Sequence, residues 1–268
     1  MELDRIEYKY LVPNKQLDAI RSEISPFVMI DPHAIDRKPQ EYTVRSLYFD
    51  TPTMNCYNEK IDGIKIRKKF RIRSYNEFGE NDIIFLEIKR KYNNFISKNR
   101  APLYNHNLQN LFETKNIDMY IIQSERNGLS IEDAQRFLYH YYHDNLIPSI
   151  LIVYDREAYF SKFNERNRIT FDKNLRSSHC TITSSLFNGF SLRTLFPKHF
   201  ILEMKIKGGM PLWARYIIGK YQLPRLALSK YTLCLDSHGG IDNYRKRMAY
   251  SSLRRFLIFG NGQDNNVR

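Results

Sequence analysis

The chain has 268 residues, with 42 lysines and arginines against 29 aspartates and glutamates, for a formal net charge of +13. This length supports one large core, and no stretch approaches the roughly 18 apolar residues of a membrane span. The positive net charge predicts an acidic partner such as nucleic acid, anionic lipid or a phosphorylated molecule or polymer. Cys56, Cys180 and Cys234 form no paired motif, and the N-terminus lacks the apolar core of a signal peptide, so we expect a cytoplasmic protein without disulfides or zinc.

The first elements in chain order are predicted to be strand, helix, strand and short helix. Residues 4–12 alternate in polarity, which is typical of a strand, and Asn14 is a good N-cap for an amphipathic helix reaching about residue 24. Residues 41–50 are rich in β-branched and aromatic side chains and predict a second strand, and a short helix follows at 51–60.

The next predicted strand, at 64–76, carries the strongest chemical signal. Lys65, Arg67, Lys69, Arg71 and Arg73 stand at every second position. Because alternate side chains of a strand point to opposite faces, all five lie on one face. Burying such a row without anions would cost several kcal/mol per charge, roughly, so we expect an anion there. The plainer interpretation is a solvated sheet face.

A Glu-x-Lys pair occurs three times within strand-like sequence. The pairs are Glu7 with Lys9, Glu87 with Lys89, and Glu203 with Lys205. A carboxylate in such a pair can hold a divalent ion while the ammonium group neutralises a phosphate. The alternative is an ordinary cross-strand salt bridge.

The rest of the chain predicts more strands around a helical insertion at about 105–145. A hairpin connection at 76–82 leads into a strand at 83–89, and a turn is expected at Gly208 and Gly209. Further strands are predicted at 149–161, 166–172, 179–187 and 199–207, and helices at 211–221 and from Ser229 onward. Seven or eight strands, roughly, without alternating βα units favour an α+β fold, an antiparallel closed β-barrel with the helical insertions packed outside.

Arg156, Arg168 and Lys230 lie on later predicted elements and could complete a ring of cations, although each taken alone is more typical of a structural residue. No G-x-x-x-x-G-K-[ST] or G-x-G-x-x-G motif occurs, so a P-loop or Rossmann nucleotide site is excluded. Phosphate chemistry in this chain would therefore depend on metal and cation clamping.

Several stretches of the sequence, taken together in order, resemble the VTC domain, the polyphosphate polymerase module of the triphosphate tunnel metalloenzyme (CYTH-like) superfamily. The matching stretches are 5–10, 46–52, 67–75, 85–89, Lys98 with Arg100, 154–159, 168–172, 202–205 and 229–231. The superfamily opens with Glu-x-Glu-x-Lys, and Arg5 replaces the first glutamate here, which favours the polymerase branch over the hydrolases. The resemblance implies one tunnel domain over residues 1–240, followed by a basic tail at 241–268.

The resemblance also implies an activity, in which the γ-phosphoryl group of ATP passes to a growing inorganic polyphosphate with the help of Mn²⁺ or Mg²⁺. The expected catalytic cations are Arg71, Arg73, Lys89, Arg156 and Arg168. The expected phosphate-binding residues are Lys9, Arg67, Lys98, Lys205 and Lys230. Glu203 is the expected metal ligand, and Glu7 and Glu87 are expected to line the tunnel. The partners would be ATP and polyphosphate, with no specific nucleic acid and no transmembrane segment, and a membrane-protein partner is left open.

Two other functions remain open at this point. A tripolyphosphatase or nucleoside triphosphatase of the same fold would use nearly the same residues. A non-catalytic polyanion- or RNA-binding module would use the positive charge alone, and its binding would weaken steeply with salt and need no divalent ion.

Overall fold

The computed structural model describes residues 5–75, 82–93, 95–123, 128–180, 183–187 and 191–239. Its strands all belong to one antiparallel sheet. They are β1 (Arg5–Pro13), β2 (Val28–Ile30), β3 (Tyr42–Asp50), β4 (Ile66–Tyr75), β5 (Ile83–Tyr92), β6 (Phe95–Tyr104), β7 (Ile147–Ser161), β8 (Asn164–His179), β9 (Arg193–Thr194) and β10 (His199–Lys207).

The helices fill the connections between these strands. They are α1 (Leu17–Ile24), α2 (Asn55–Ile61), α3 (Leu108–Thr114), α4 (Ile117–Tyr120), α5 (Ser130–His143), α6 (Leu212–Lys220) and α7 (Lys230–Ser237). Short 3₁₀ turns lie at 14–16, 25–27, 105–107 and 183–186. Within the described ranges, no helix has both the length and the hydrophobicity that a membrane crossing requires.

The sheet is rolled around one of its faces. The main strand order is β1-β10-β8-β7-β3-β4-β5-β6, which places β1 and β5 six neighbours apart. On a flat sheet that separation would be about 29 Å, since neighbouring strands lie about 4.8 Å apart. Lys89 on β5 nevertheless has its Nζ only 3.9 Å from Oε2 of Glu7 on β1. The sheet must therefore curve strongly toward the face that bears these two side chains.

The two ends of the strand path are not joined by a hydrogen-bonded ladder in the described sheet. The closed barrel expected from the sequence is thus not confirmed. The segment before α7 instead bridges the sides of the roll. The Leu226 amide donates to the Lys9 carbonyl at 2.9 Å on β1, and Ser229 accepts a hydrogen bond from Lys69 Nζ on β4 at 2.8 Å.

Apolar side chains occupy the outer face of the rolled sheet, where helices cover them. Leu202 and Met204 on β10 share one buried cluster with Ile20 of α1 and Ile217 of α6. Phe70 on β4 lies edge-on to Phe137 of α5, with ring centroids 6.4 Å apart, and both belong to a second cluster. The period of two along each strand therefore separates an apolar outer face from a charged inner face.

The structure confirms most predicted elements, corrects one predicted strand and adds β2, β6 and β9. The strand predicted at 179–187 is wrong, because β8 ends at His179 and residues 183–186 form a 3₁₀ turn. This stretch is rich in Ser and Thr, whose side chains favour turns. Strand β6 was not predicted. It contains Pro102, which a central strand would exclude but an edge strand tolerates.

Two sequence predictions concern parts of the chain outside the described residues, namely most of the hairpin connection at 76–82 and the basic tail at 241–268. Helices α3, α4 and α5 lie within the predicted helical region at 105–145. The division into one domain and a tail stays a prediction.

Candidate functional site

The inner face of the rolled sheet, which we call the charged face, gathers ionic side chains from seven strands and α7. Its described cations are Lys9, Arg67, Lys69, Arg71, Arg73, Lys89, Lys98, Arg100, Arg156, Arg168, Lys205 and Lys230. The carboxylates in contact with them are Glu7, Asp31, Glu87, Asp172 and Glu203. The cations outnumber the carboxylates by more than two to one, so the face carries a large positive charge.

The most buried ion pair on this face is centred on Asp172 of β8. Its carboxylate accepts two hydrogen bonds from Arg156, at 2.6 and 2.8 Å, and lies 2.5 Å from Lys230 Nζ. Burial alone would raise the pKa of Asp172, but Arg156 and Lys230 hold it below its ordinary value. Both cations are thereby fixed in place, because the bidentate geometry locks the guanidinium and Lys230 is the first residue of α7.

A second cluster surrounds Glu203 on β10. Lys205 Nζ lies 2.9 Å from one carboxylate oxygen, and Lys9 and Lys230 lie 3.8 and 3.9 Å from the other. Glu7 on β1 joins this cluster through Lys9 at 3.3 Å. The pKa of Glu203 is held well below its ordinary value, because the attraction of Lys205 and Lys9 outweighs the effect of burial. Glu203 is therefore ionised at neutral pH.

The third cluster is centred on Glu87 of β5, whose side chain is 1 % exposed. Arg71 Nε donates to it at 2.7 Å, and the side-chain nitrogens of Lys98 and Arg100 lie at 2.5 and 3.2 Å. One carboxylate thus faces three cations. Burial lowers the pKa of Lys98 to about 8 despite its contact with Glu87.

Arg73 and Lys69, which lie on the inner face of β4, form no ion pair with any described carboxylate. Arg73, only 7 % exposed, donates to Ser46 Oγ at 3.1 Å and to the Tyr154 hydroxyl at 3.5 Å. Lys69 donates to Ser229 Oγ. Burial, together with neighbouring lysines such as Lys9, lowers the pKa of Lys69 well below its ordinary value. Desolvated cations held only by hydroxyls are costly, and a bound anion would remove that cost.

The same cations affect the phenol of Tyr48. It is buried, and burial by itself would raise the pKa of its phenol. The net shift is nevertheless downward, because Arg71 and Arg73 stabilise the phenolate, and Arg71 Nη1 lies 2.9 Å from the Tyr48 oxygen. A negative charge is thus favoured at this point of the face even though water is largely excluded.

The structure brings the predicted site residues together on this one face. Arg168, 28 % exposed in its side chain, donates to Asp31 Oδ2 at 2.6 Å and to the Tyr42 hydroxyl at 2.9 Å. Arg67 lies near the start of β4 and donates to the carbonyl of Ile64 at 2.6 Å. Arg73, Arg156 and Arg168 therefore line the inner face and do not lie on the outer walls.

Several residues of the site were given no role in the sequence prediction. Lys69 was predicted to lie in the basic row that faces an anion, but it was not named among the catalytic or phosphate-binding residues. Asp172 was detectable as well, since it is four residues from Arg168 on the same strand face. Asp31 carries no such signal, because it follows β2 in an irregular segment and reaches Arg168 only through the fold.

The carboxylates also allow a test of whether a divalent cation fits. The described residues contain no group of three or more His, Cys, Asp or Glu side chains able to hold a metal ion. Mg²⁺ in enzymes is usually held by one or two carboxylates plus phosphate oxygens and water. Glu203 and Glu7 both contact Lys9 and Lys205, so the two carboxylates lie close to each other. They supply the one or two carboxylate ligands that such a site needs. The donor set fits a hard divalent ion that arrives with phosphate.

Comparison with known proteins identifies the family of the chain. The sequence model of the VTC domain matches residues 4–238. No curated protein matches the sequence significantly. Among solved structures, a putative adenylate cyclase from Bacillus halodurans is 14% identical, with a TM-score of 0.47, over 85% of this chain and 95% of its own. A putative adenylate cyclase from Vibrio parahaemolyticus is also 14% identical, with a TM-score of 0.42, over 87% of this chain and 98% of its own.

The family match covers all the described strands and helices of the chain, including every residue assigned to the charged face. The chain belongs to the VTC domain family.

Proposed function

We propose that this protein is a polyphosphate polymerase, which transfers the γ-phosphoryl group of ATP to the end of a growing inorganic polyphosphate chain bound on the charged face. The observation that carries the proposal is the row Arg67, Lys69, Arg71 and Arg73 on β4. Four positions two residues apart span about 20 Å, which suits a linear polyanion better than one phosphate group. Membership in the VTC domain family supports the same substrate class.

The chain's own residues would act by binding, orienting and neutralising charge. Arg71 and Arg73 present guanidinium groups from the same face of β4, and such groups match phosphoryl oxygens bidentately. Arg156 and Lys230 are held rigidly by Asp172, so they need little rearrangement when a phosphate arrives. Positioning of this kind is sufficient for in-line phosphoryl transfer, without a covalent enzyme intermediate.

The metal belongs to the same proposal. Glu203, with Glu7 beside it, would hold Mn²⁺ or Mg²⁺ bound to the phosphates of ATP. The ion would neutralise part of the charge on the transferred group. Lys205 and Lys9 would keep Glu203 ionised and ready to bind it.

Water exclusion would decide between synthesis and hydrolysis. Arg73 and Arg156 are each 7 % exposed and Glu203 is 4 % exposed, so the centre of the charged face is poorly hydrated. A phosphoryl group transferred there would meet the end of a bound chain more often than water. The same burial strengthens each electrostatic contact to the phosphates.

The test is to incubate the purified protein with ATP and Mn²⁺ and to separate the products on a gel that resolves polyphosphate from orthophosphate. Long-chain polymer is expected from the wild type and from Arg215→Ala, a control that removes an exposed arginine of α6. Arg71→Ala should form little polymer. Orthophosphate as the sole product would identify a triphosphatase of the same fold. Salt-sensitive binding of polyanions without any turnover would identify a binding module.

A further inference from the structure

We propose that one end of the sheet docks this protein onto the surface of a membrane that contains anionic lipids. The docking surface, which we call the apolar tip, consists of exposed side chains where β4 begins, β5 ends and β6 begins. They are Ile64, Ile66, Tyr92, Phe95 and Ile96. The inference concerns the end of the sheet and no ion cluster of the charged face, so it does not depend on the proposed function.

The apolar tip is a regular part of the sheet. In the register of the strands, Ile66 pairs with Tyr92 and Tyr92 pairs with Phe95, so these three side chains form one rank on the outer face. The Asn93 amide donates a hydrogen bond to the Lys65 carbonyl at 3.0 Å, which ties β4 and β5 together at this end. The three side chains therefore have fixed positions next to one another.

Helix α5 covers the outer face up to the tip. Phe70 packs against Phe137 of α5, and Lys68, two residues closer to the tip, has its Nζ 3.3 Å from His140 Nε2 in the last turn of the helix. The five side chains of the tip are in contrast each between 47 % and 63 % exposed. Single exposed apolar side chains are ordinary, but a contiguous group of this kind marks an interaction surface.

Basic side chains lie directly behind the apolar tip. They are Lys65, Lys68, Arg90 and Lys91, which we call the basic collar. Lys68 and Arg90 pair across β4 and β5 in the rank next to Ile66 and Tyr92. The carboxylates nearest to the collar along the chain are Glu59 and Asp62, so the cations are in excess. A partner that contacts both layers must offer apolar surface and negative charge.

The order of the two layers fits a lipid surface. Ranks two residues apart on a strand are separated by about 7 Å. Amphipathic elements that bind membranes bury their apolar side chains about 5–10 Å into the boundary between headgroups and acyl chains. A tip inserted to this depth places the collar among the headgroups, where anionic lipids attract Lys and Arg. Two copies that met at their tips would instead bring two basic collars together, which repel each other.

Sedimentation with vesicles tests this inference. The whole 268-residue chain is mixed, without ATP or divalent ions, with vesicles of phosphatidylcholine alone or with about one third phosphatidylglycerol. The wild type should bind the anionic vesicles at least about tenfold more tightly than the neutral ones. Tyr92→Ser/Phe95→Ser keeps every charge and should bind the anionic vesicles about tenfold more weakly than the wild type.

The matched control is Phe163→Ser/Tyr216→Ser, which removes the same two residue types from exposed positions elsewhere and should bind like the wild type. Tryptophan fluorescence then shows whether the tip enters the bilayer. Trp213→Phe removes the only tryptophan of the chain and provides the background. In that background, the emission of Phe95→Trp should move to shorter wavelength on anionic vesicles and be quenched by brominated lipids, whereas Phe163→Trp should show neither change.

Unchanged binding by Tyr92→Ser/Phe95→Ser would overturn the inference, because net charge alone would then hold the protein on the vesicle. Equal losses in the two double variants, or absence of quenching in Phe95→Trp, would overturn it as well. A wild type that does not bind anionic vesicles, but forms a dimer that Tyr92→Ser/Phe95→Ser abolishes, would assign the apolar tip to a second copy instead. A melting temperature measured for each variant shows that the losses do not come from unfolding.

Discussion

The two sides of the charged face differ in how far carboxylates neutralise their cations. On the side formed by β1, β7, β8, β10 and α7, cations such as Arg156 and Lys230 are matched by Asp172 and Glu203. On the side formed by β4, β5 and β6, Glu87 is the only described carboxylate among the inward-facing charges. The first side is neutralised within the protein, whereas the second keeps an excess of cations. The described cations without a carboxylate partner therefore lie mainly on β4 to β6.

The largest expected effect is on stability, when the neutralised side loses its central carboxylate. Asp172→Ala leaves Arg156 buried without a carboxylate in contact and Lys230 with only its longer contact to Glu203, so the free energy of unfolding should fall by about 3–5 kcal/mol. Urea unfolding measures this. The matched control is Asp18→Ala, which removes the surface carboxylate paired with Arg21 and should cost less than about 1 kcal/mol. Similar losses in both variants would contradict the view that Asp172 holds this side together.

The next effect concerns the rate of catalysis, when the side formed by β4, β5 and β6 loses an arginine. Arg71→Ala should cost on the order of 2–4 kcal/mol of transition-state stabilisation, because a guanidinium preorganised by Glu87 and Tyr48 is lost. The rate of polymer formation from ATP measures it, with Arg215→Ala as the control for net charge. An unchanged rate would remove Arg71 from the reaction.

A smaller effect on stability, of opposite sign, is expected when Lys69 is replaced, because this lysine on the β4–β6 side has no carboxylate partner. Lys69→Met keeps most of the packing and removes a desolvated charge without a carboxylate partner, so the free energy of unfolding should rise by about 1–2 kcal/mol. The same change should weaken tripolyphosphate binding. Thermal unfolding and titration calorimetry measure the two quantities. Lys198→Met on the exposed surface should alter neither, and a destabilised Lys69→Met would show that the unpaired charge is not costly.

The smallest effect is the pH dependence of the second side. The pKa of Lys98 is about 8 in the folded protein, below its ordinary value of 10.5. Between these values the unfolded chain binds more protons, so the contribution of Lys98 to stability should rise as the pH rises from about 8 toward 10. Affinity for tripolyphosphate should fall over the same range, because the anion binds the protonated amine. Lys98→Arg should flatten both profiles, and profiles equal to the wild type would exclude Lys98 as their source.

The sequence predicted the members of the charged face well because alternation along a strand is a local property. The spacing of Arg67, Arg71 and Arg73 was sufficient to place them together on one face. The prediction failed for β6, since Pro102 disguised an edge strand, and for the stretch after His179. Whether hydrogen bonds close the sheet into a barrel could not be predicted from the sequence either, because closure depends on how strongly the whole sheet curves.

Two properties follow from local sequence alone, namely which side chains share a strand face and which family the chain belongs to. The backbone fixes the period of a strand, and the motifs occur in order along the chain. Which cations are neutralised depends instead on the tertiary fold. Asp31 reaches Arg168 across 137 residues, and Ser229 reaches Lys69 across 160. Contacts at such separations arise from the rolling of the sheet and the path of the chain before α7. No local pattern encodes them.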